Sequence, residues 1–339
     1  PDAPKLKRPF ADGYIQQFHI QSFRQFEDVE VKDLGLVNLI VGDNNVGKTS
    51  FLEALLFTPD SNAYLHRLAF AYIDRLNAPP DKIMLGKLYY AVGRDFLTDF
   101  INSHSKQAIA FSIGSKRQEW RYQVGQLPLV FSAEDFAQLE QLSAEGGYVQ
   151  PFMPYGKGFG KDLPVLYDQY IRPNRIMESE FKKNLKLFIP DLEQVFAGVD
   201  GTIDIREKES EEDYPLHRYG EGANKLFRIL ILLTLHKGKR LMLDEIDAGV
   251  HFTKFRELWK IILTTAIRDN TQIFATTHNE ECVQYFTEVL SELSKLYQDE
   301  SRVVQMKKVA GSLKIRSYRF ESFHTAMENG FEIRGGQRV

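Results

Sequence analysis

The sequence contains very little cysteine. Cys282 is the single thiol among 339 residues, so no disulfide can form within one chain. No array of cysteine and histidine residues has the spacing of a zinc site. These absences exclude a scaffold held together by internal disulfides, and they fit a protein that works in a reducing compartment.

The sequence also lacks a long apolar run. The longest, Leu226–Leu235, is interrupted by Arg228 and is far shorter than the roughly 20 residues that a membrane-spanning helix needs. Residues 1–10 contain no apolar stretch of the kind found in secretory signals. The sequence therefore predicts a cytoplasmic protein without a membrane partner.

Neither sign of charge is in excess. Lys and Arg number 43 and Asp and Glu number 46, which gives a net charge of −3. Any contact with nucleic acid must therefore come from a local patch. Basic clusters at 116–117 and 182–186 are expected to be solvated faces, with a nucleic-acid patch as the alternative.

What the sequence does contain is a glycine-rich loop between an apolar strand and a helical pattern. Residues 37–50 read VNLIVGDNNVGKTS, which is the full G-x-x-x-x-G-K-[ST] spacing. The N–H groups at the start of the helix have no intrahelical partner and the helix dipole favours an anion, so the loop is expected to cradle a polyphosphate. Lys48 is expected on the β- and γ-phosphates and the Thr49 hydroxyl on Mg²⁺. The predicted nucleotide-binding residues are Gly42, Asp43, Asn44, Asn45, Val46, Gly47, Lys48, Thr49 and Ser50.

The first half of the chain has a mixed pattern. Short strands are predicted at 14–20, 26–33 and 37–42. The links between them are too short for crossover helices, so adjacent strands must be antiparallel. A helix follows over 48–57. Further predictions are two helices within 60–105 broken at 78–80, strands at 108–113, 119–124 and 127–131, a helix from Glu134, a loop at 155–160 and helix over 163–196.

From Tyr219 onwards, helices and strands alternate. A two-glycine turn opens a helix that ends near Leu235, and a strand then leads into Asp244 and Glu245. A helix over 252–267, a buried strand from 272 that ends at His278, and a helix over 280–296 follow. This order predicts an α/β fold with a parallel sheet and functional residues at the carboxyl ends of its strands.

An apolar strand that ends in Asp-Glu suits a nucleotide hydrolase. Asp244 can hold Mg²⁺, with Thr49 as the other predicted metal ligand, while Glu245 can orient the attacking water or accept its proton. Phosphoryl transfer needs mainly positioning and neutralisation of charge, so a phosphate cradle, a metal and one acid account for most of the chemistry. The predicted catalytic residues are Glu245, His278 and Lys48.

These motifs together resemble the head of an ABC-type ATPase. Within that class the chain is similar to the OLD and RecF-like group, often grouped with AAA ATPases, which includes stand-alone ATPases of bacterial phage-defence systems. The resemblance covers about residues 14–57 and 213–285. It implies a P-loop head with a mixed sheet, antiparallel N-terminal strands and a helical insertion. The expected organisation is an ATPase lobe at 1–59, an insertion at 60–205 and a second ATPase lobe at 206–339.

The resemblance also assigns roles to individual residues. It places the signature motif, which contacts the γ-phosphate on a partner copy, at Gly220, Gly222, Asn224 and Lys225. The turn lacks the serine of the common L-S-G-G-Q form and has Glu221 at a glycine position, which leaves the trans contact and the part of Lys225 open.

Four further positions are assigned in the same way. Asp247 falls at the D-loop and His278 at the switch histidine, although a histidine that caps a strand is the alternative. Arg24 matches a position near the phosphates, and Gln150 is a candidate Q-loop glutamine. An exposed turn arginine and a surface glutamine remain the alternatives for these two.

The resulting expectation is an ATPase that requires ATP and Mg²⁺, dimerises around ATP and switches an assembly. The segment after His278 is too short for the TOPRIM nuclease domain of some relatives, so a separate effector such as a nuclease is expected as partner. No heptad run supports coiled-coil arms. The alternative is a RecF-like ATPase that binds DNA in repair or maintenance. A small-molecule kinase is disfavoured because it leaves the glycine turn and His278 unexplained.

Overall fold

The structure is a computed structural model, and it describes residues 15–56, 107–113, 116–122, 146–149, 163–198, 202–309 and 312–329. Several predictions lie outside the described residues: the helices within 60–105, the strand at 127–131, the helix from Glu134, the loop at 155–160 and Gln150. None of the helices in the described part combines the length and apolar character that a membrane crossing requires.

The described strands are β1 (Gln17–Phe23), β2 (Phe26–Val31), β3 (Val37–Gly42), β4 (Gln107–Ile113), β5 (Lys116–Tyr122), β6 (Gly146–Val149), β7 (Leu192–Ala197), β8 (Ile203–Glu207), β9 (Asp213–Pro215), β10 (Arg240–Leu243), β11 (Gln272–Thr277), β12 (Ser301–Val309) and β13 (Ser312–Arg319). The described α-helices are α1 (Lys48–Leu55), α2 (Leu163–Leu166), α3 (Arg175–Leu185), α4 (Glu221–Leu235), α5 (Phe255–Asp269), α6 (Glu280–Glu292), α7 (Lys295–Asp299) and α8 (Phe320–Glu328). A π-helical turn, Tyr167–Ile171, continues α2, and 3₁₀ turns cover Leu216–Tyr219 and Phe252–Lys254.

A six-stranded mixed sheet forms the centre, in the order β13-β12-β3-β11-β10-β6. All neighbouring pairs from β12 to β6 are parallel, and only the edge strand β13 is antiparallel. Every residue of β3, β10 and β11 is buried, as expected for parallel strands covered on both faces. The predicted α/β fold with a parallel core and antiparallel N-terminal strands is therefore confirmed.

The two faces of this sheet carry two different cores, because successive side chains of a strand point to opposite faces. Ile40 packs with α1 and the N-terminal strands, where Phe51 meets Phe18 edge to face at a ring separation of 5.9 Å. Leu39 and Val41 pack on the other face, against α4, α5 and α6. The phosphate-loop helix and the helices of the second half thus lie on opposite faces of one sheet.

The prediction for the third N-terminal strand was wrong in its pairing. β1 and β2 are antiparallel, in a separate sheet of order β2-β1-β4-β5, but β3 leaves them and pairs in parallel with β11 and β12. The alternating burial of β2 fits a strand with one covered face, whereas the continuous apolar character of β3 requires cover on both. Two strands joined by a short link therefore need not pair with each other, since the chain can pass from one sheet to another between them.

The predicted helix over 163–196 was also too long. Helix α3 ends at Leu185, and Leu192–Ala197 is a strand paired antiparallel with β8. Pro190 cannot continue a helix, and valine and phenylalanine in the segment that follows favour a strand. The predicted helix over 280–296 is divided into α6 and α7, with Ser294 as the N-cap residue of the second.

Asp33, in the link between β2 and β3, attaches this link to the β12–β13 hairpin. Its carboxylate accepts hydrogen bonds from Arg319 at 2.8 Å and from Arg302 at 3.2 Å, and its carbonyl oxygen accepts from Arg302 and Ser317. Partial burial raises the pKa of Asp33, but the hydrogen bonds and charges of the two arginines outweigh it and hold the pKa below its ordinary 3.8. The residue has a left-handed φ of 56°, which aspartate and asparagine tolerate.

We expect Asp33→Asn to lower the free energy of unfolding at neutral pH by about 1 kcal/mol, since the pair is partly solvent-screened with Asp33 41% exposed. Because the pKa is depressed in the folded state, this difference is present above about pH 3.8 and is lost as the pH falls below it. Urea unfolding across pH measures it. Asp28→Asn is the matched control, because Asp28 is also left-handed and its carboxylate, which pairs with His19 at 2.8 Å, is 90% exposed, so that solvent screens this pair. Equal stability of both variants would contradict the assigned role.

Candidate functional site: a phosphate-binding loop at the sheet edge

The glycine-rich loop joins the carboxyl end of β3 to α1. Gly42 lies so close to β12 that a Cβ there would collide with the carbonyl oxygen of Met306. Gly47 has a left-handed φ of 102° and is the N-cap of α1. Asn45 is also left-handed, with φ 61°. The loop therefore depends on residue types that permit these conformations.

The start of α1 is available for an anion. Its first hydrogen bond runs from Phe51 N–H to the Gly47 carbonyl at 2.8 Å. The N–H groups of Lys48, Thr49 and Ser50 precede that bond and have no intrahelical acceptor. Together with the loop amides they provide the donors that a bound polyphosphate requires.

Lys48 lies across the loop. Its ammonium donates to the carbonyl oxygens of Gly42 at 2.8 Å and Asp43 at 2.9 Å. Burial lowers the pKa of Lys48, and the nearby carboxylates, led by Glu245 and Asp244, oppose that effect. The ammonium is thus placed near the acids of the β10 end.

Asp244 immediately follows β10 and is 1% exposed. Its Oδ1 accepts hydrogen bonds from Thr49 at 3.3 Å and from Thr276 at 2.7 Å. A hydroxyl and a carboxylate within hydrogen-bond distance of each other are hard oxygen donors, and Mg²⁺ is commonly bound by one or two such groups together with substrate phosphates and water. The predicted metal ligands Thr49 and Asp244 are thus brought together, and their chemistry fits Mg²⁺.

Glu245 is held through its backbone. Its N–H donates to the Thr276 hydroxyl at 2.7 Å, and the next residue, Ile246, donates to the Thr276 carbonyl at 2.9 Å. Its φ is 42°, a left-handed conformation that is uncommon for glutamate. Backbone strain of this kind persists only where the surroundings fix it, and it is frequent at functional sites.

The end of β11 supplies the other side of this edge. Thr277 donates to the Asp247 carboxylate at 2.6 Å, and Asp247 is buried. His278 comes next and is exposed. Asn279 caps α6 by accepting from the Cys282 N–H at 3.1 Å. The predicted D-loop aspartate and switch histidine therefore lie at the same sheet edge as Asp244.

The glycine turn before α4 packs against the loop after β10. Gly220 has φ 86° and borders open space, since a Cβ there would meet no atom of the described part of the chain within 4 Å. A Cβ on Gly222 would lie 3.0 Å from the carbonyl oxygen of Gly249. Asn224 is 4% exposed, and neither polar atom of its amide has a hydrogen-bond partner among the residues that the structure describes.

Lys225 lies inside its own chain. It is 3% exposed, and its ammonium donates to the carbonyl oxygens of Glu245 and of Ala248, the latter at 3.2 Å. Burial lowers the pKa of Lys225 to about 8, against the opposing effect of Asp247, Asp244 and Glu245. The resemblance to the signature motif left open whether Lys225 contacts a partner copy. In the structure its ammonium lies on main-chain oxygens of the same chain.

The turn between β1 and β2 lies beside the phosphate loop. Arg24, predicted near the phosphates, forms an ion pair at 2.8 Å with Glu53, which is buried in α1. The amide of Gln25 lies directly against Gly47, where it would collide with a Cβ. The candidate Gln150 lies outside the described residues, but β6 ends one residue earlier, with Val149 beside Leu243.

Three residues of this site were not found from the sequence: Thr276, Thr277 and Gln25. The two threonines occupy the end of the strand that reads ATTH, and hydroxyls at the carboxyl end of a parallel strand were the available signal. That signal becomes specific only once β11 is known to lie beside β10.

We expect Thr276→Val to reduce nucleotide hydrolysis about 10- to 100-fold, as is usual when a residue that orients a metal ligand is lost. The valine removes the 2.7 Å hydrogen bond to the buried Asp244 carboxylate and the hydroxyl that accepts from the Glu245 N–H. Phosphate release over a Mg²⁺ titration measures the effect. Thr287→Val is the control, because the Thr287 hydroxyl binds the Val283 carbonyl within its own helix. An unchanged rate in Thr276→Val would contradict the assigned role.

Comparison with protein families locates two domain matches on this chain. Residues 14–119 match the model described as "AAA ATPase domain". Residues 167–283 match the model described as "AAA domain, putative AbiEii toxin, Type IV TA system". The first match contains the phosphate loop, and the second contains the glycine turn, Asp244, Glu245 and His278.

Two individual proteins are also similar in sequence to this chain. A protein of Helicobacter pylori named ATP/GTP phosphatase is 21% identical over 369 residues, with 93% of this chain and 98% of the relative covered. An uncharacterised protein of Methanocaldococcus jannaschii is 44% identical over 41 residues, which cover 12% of this chain and 19% of that protein.

Among solved structures, an Smc head bound to the C-terminal winged-helix domain of ScpA has a TM-score of 0.50 at 11% identity. The match covers 92% of this chain and 99% of that one, so the two share a fold. The domain matches and the phosphate-loop geometry identify the chain as an ATP-hydrolysing enzyme that carries AAA-type ATPase domains on a P-loop ATPase head.

Proposed function

We propose that this protein is a Mg²⁺-dependent ATPase whose copies close around ATP, and that the nucleotide state switches a separate effector. The observation that carries the catalytic part is the hydrogen-bond network that joins Thr49, Asp244, Thr276 and Glu245. It unites the phosphate loop with the acids at the end of β10. That arrangement suits phosphoryl transfer to water, because it combines a phosphate cradle, a metal site and an acid.

Each side chain has a distinct task in this proposal. The N–H groups at the start of α1 and the Lys48 ammonium bind the β- and γ-phosphates, and Thr49 and Asp244 hold Mg²⁺. Bound Mg²⁺ would neutralise part of the phosphate charge. Glu245 orients the attacking water and accepts its proton, and the exposed His278 hydrogen-bonds the γ-phosphate.

Closure around ATP is supported by the glycine turn before α4. Gly220, the N-cap of a 15-residue helix, has no side chain and borders open space, and Gly222 has none in the first turn, where Glu221 lies between them. A helix N-terminus favours a phosphate, and a glycine permits close approach to it. A second copy can therefore add this turn to the γ-phosphate of the first, as the resemblance to ABC-type heads implies.

A task in bacterial defence against phage, with a nuclease-like effector as partner, is the finer part of the proposal. It is supported by the resemblance to the OLD and RecF-like group. The toxin system named in one of the matched family descriptions points to the same kind of role. The homologue from Helicobacter pylori, named for phosphatase activity on ATP and GTP, supports hydrolysis as the energy source.

We expect Glu245→Gln to slow ATP hydrolysis about 100-fold or more while ATP binding persists, because the residue that accepts the proton of water is lost. ATP-bound dimers should then accumulate, which light scattering after size exclusion measures. Lys48→Ala is the control that loses nucleotide binding and dimers together. A Glu245→Gln variant that neither slows hydrolysis nor favours association would overturn the proposal.

DNA binding, as in RecF-like proteins, is the second candidate, and the β12–β13 hairpin favours it. Lys307 lies directly opposite Lys314, and Arg316 lies two residues further along the same face. Like charges in such positions repel each other, and no carboxylate among the described residues lies within ion-pair distance of any of the three. Met306 is level with Gly42, so this cationic face begins at the phosphate-loop edge of the sheet. A polyanion would neutralise it.

If this face binds DNA, replacing Lys307, Lys314 and Arg316 together by glutamine should reduce the slope of log affinity against log salt by about 2 to 3. Fluorescence anisotropy with a labelled duplex measures the slope. The control replaces Lys182, Lys183 and Lys186 of the basic cluster on and beside α3 and should leave the slope unchanged. An absence of DNA binding at low salt would leave the effector switch as the better reading.

A further inference from the structure

The buried ammonium of Lys225 joins two parts of the site. Lys225 belongs to the first turns of α4, and its two described acceptors, the carbonyl oxygens of Glu245 and Ala248, belong to the loop after β10. An ammonium removed from water is costly unless acceptors and opposite charges surround it. Here two carbonyl oxygens and three neighbouring carboxylates do so, which makes the position of the loop depend on the position of the helix.

Packing reinforces this link. A Cβ on Gly222 would lie 3.0 Å from the Gly249 carbonyl and 3.2 Å from Val250 Cα. A Cβ on Gly249 would in turn lie 3.1 Å from the Cβ of Glu221. The helix start and the loop are therefore packed so closely that neither Gly222 nor Gly249 has room for a side chain without a shift, and a movement of one element displaces the other.

The opposite side of the loop is attached to β11. Thr276 holds the N–H of Glu245, and Thr277 holds the carboxylate of Asp247. Glu245, which carries the first of these attachments, has a left-handed conformation. Its backbone is held at the N–H by the sheet and at the carbonyl by Lys225. Loss of either attachment should release the strain and change the direction of the glutamate side chain.

We infer that Lys225 is a positioning residue that acts within its own chain: it fixes the main-chain carbonyls of Glu245 and Ala248 and couples the glycine turn of α4 to the catalytic glutamate. The inference rests on the proposed role of Glu245. The glycine turn before α4 would then have a second task besides contact with the nucleotide bound to a partner copy. When that nucleotide displaces the turn, Glu245 of the same chain moves with it.

The first test separates this role from binding of nucleotide. Lys225→Met keeps the length of the side chain but removes the donor, and we expect kcat to fall at least about 10-fold with KM and ATP affinity unchanged. Lys225→Arg, which keeps the charge and donors, should recover part of the rate. A rise in KM at unchanged kcat would overturn the inference. If the methionine variant does not fold, Lys225→Gln provides the same comparison.

The second test distinguishes action within the chain from action across a dimer. Lys225→Met is mixed in equal amounts with Glu245→Gln, and phosphate release is measured. Each mixed dimer has one site that combines the intact Glu245 of the Lys225→Met chain with the intact Lys225 of its partner. If Lys225 acted across the dimer, mixing would restore about a quarter of the wild-type rate, since about half of the dimers are mixed and each has one intact site. We expect no restoration.

A control keeps the two proposals separate. Gly220→Asp places a carboxylate at the turn that borders open space. Mixed with Glu245→Gln it should restore activity, because the turn is proposed to act across the dimer. Unchanged hydrolysis in Glu245→Gln alone would mean failure of the proposed function. Restoration by the Lys225→Met mixture, with Glu245→Gln inactive, would mean failure of the present inference only.

Discussion

One buried carboxylate oxygen connects the parts of this site. Oδ1 of Asp244 accepts a hydrogen bond from Thr49, at the start of α1, and a shorter one from Thr276, at the end of β11. These residues are far apart in the sequence, and all are placed by the central sheet. An unpaired carboxylate in such a position is strongly unfavourable, so the hydroxyls are needed for the fold as well as for the site.

The parallel sheet explains why so many functional groups meet there. Strands β3, β10 and β11 run in the same direction, so the phosphate loop, Asp244 and His278 all follow carboxyl ends at one edge. Helix α1 lies on one face of the sheet and α4 on the other. The loop after β10 contacts the elements of both faces, through the Thr49–Asp244 and Lys225–Glu245 hydrogen bonds. A change at either helix therefore reaches the same loop.

Sequence patterns predicted the α/β class, the phosphate loop and most helices and strands of the second half, because these depend on local spacing and periodicity. The partner of β3 was predicted wrongly, since a short link to β2 indicates proximity but not which layer the next strand enters. The strand over Leu192–Ala197 was missed because its burial depends on the neighbouring β8. The β12–β13 hairpin was not predicted, although β12 completes the sheet beside the phosphate loop.

The sequence by itself determined the chemistry of the phosphate loop, because a glycine-rich turn between a strand and a helix creates its donors through local geometry alone. It also indicated the acids after β10 by their place at a strand end. Only the tertiary structure decided that Thr276 holds both Asp244 and Glu245, and that the Lys225 ammonium lies within its own chain. These contacts join segments that meet only because β11 lies beside β10 and α4 packs over the loop, and such neighbours follow from long-range packing that local patterns do not specify.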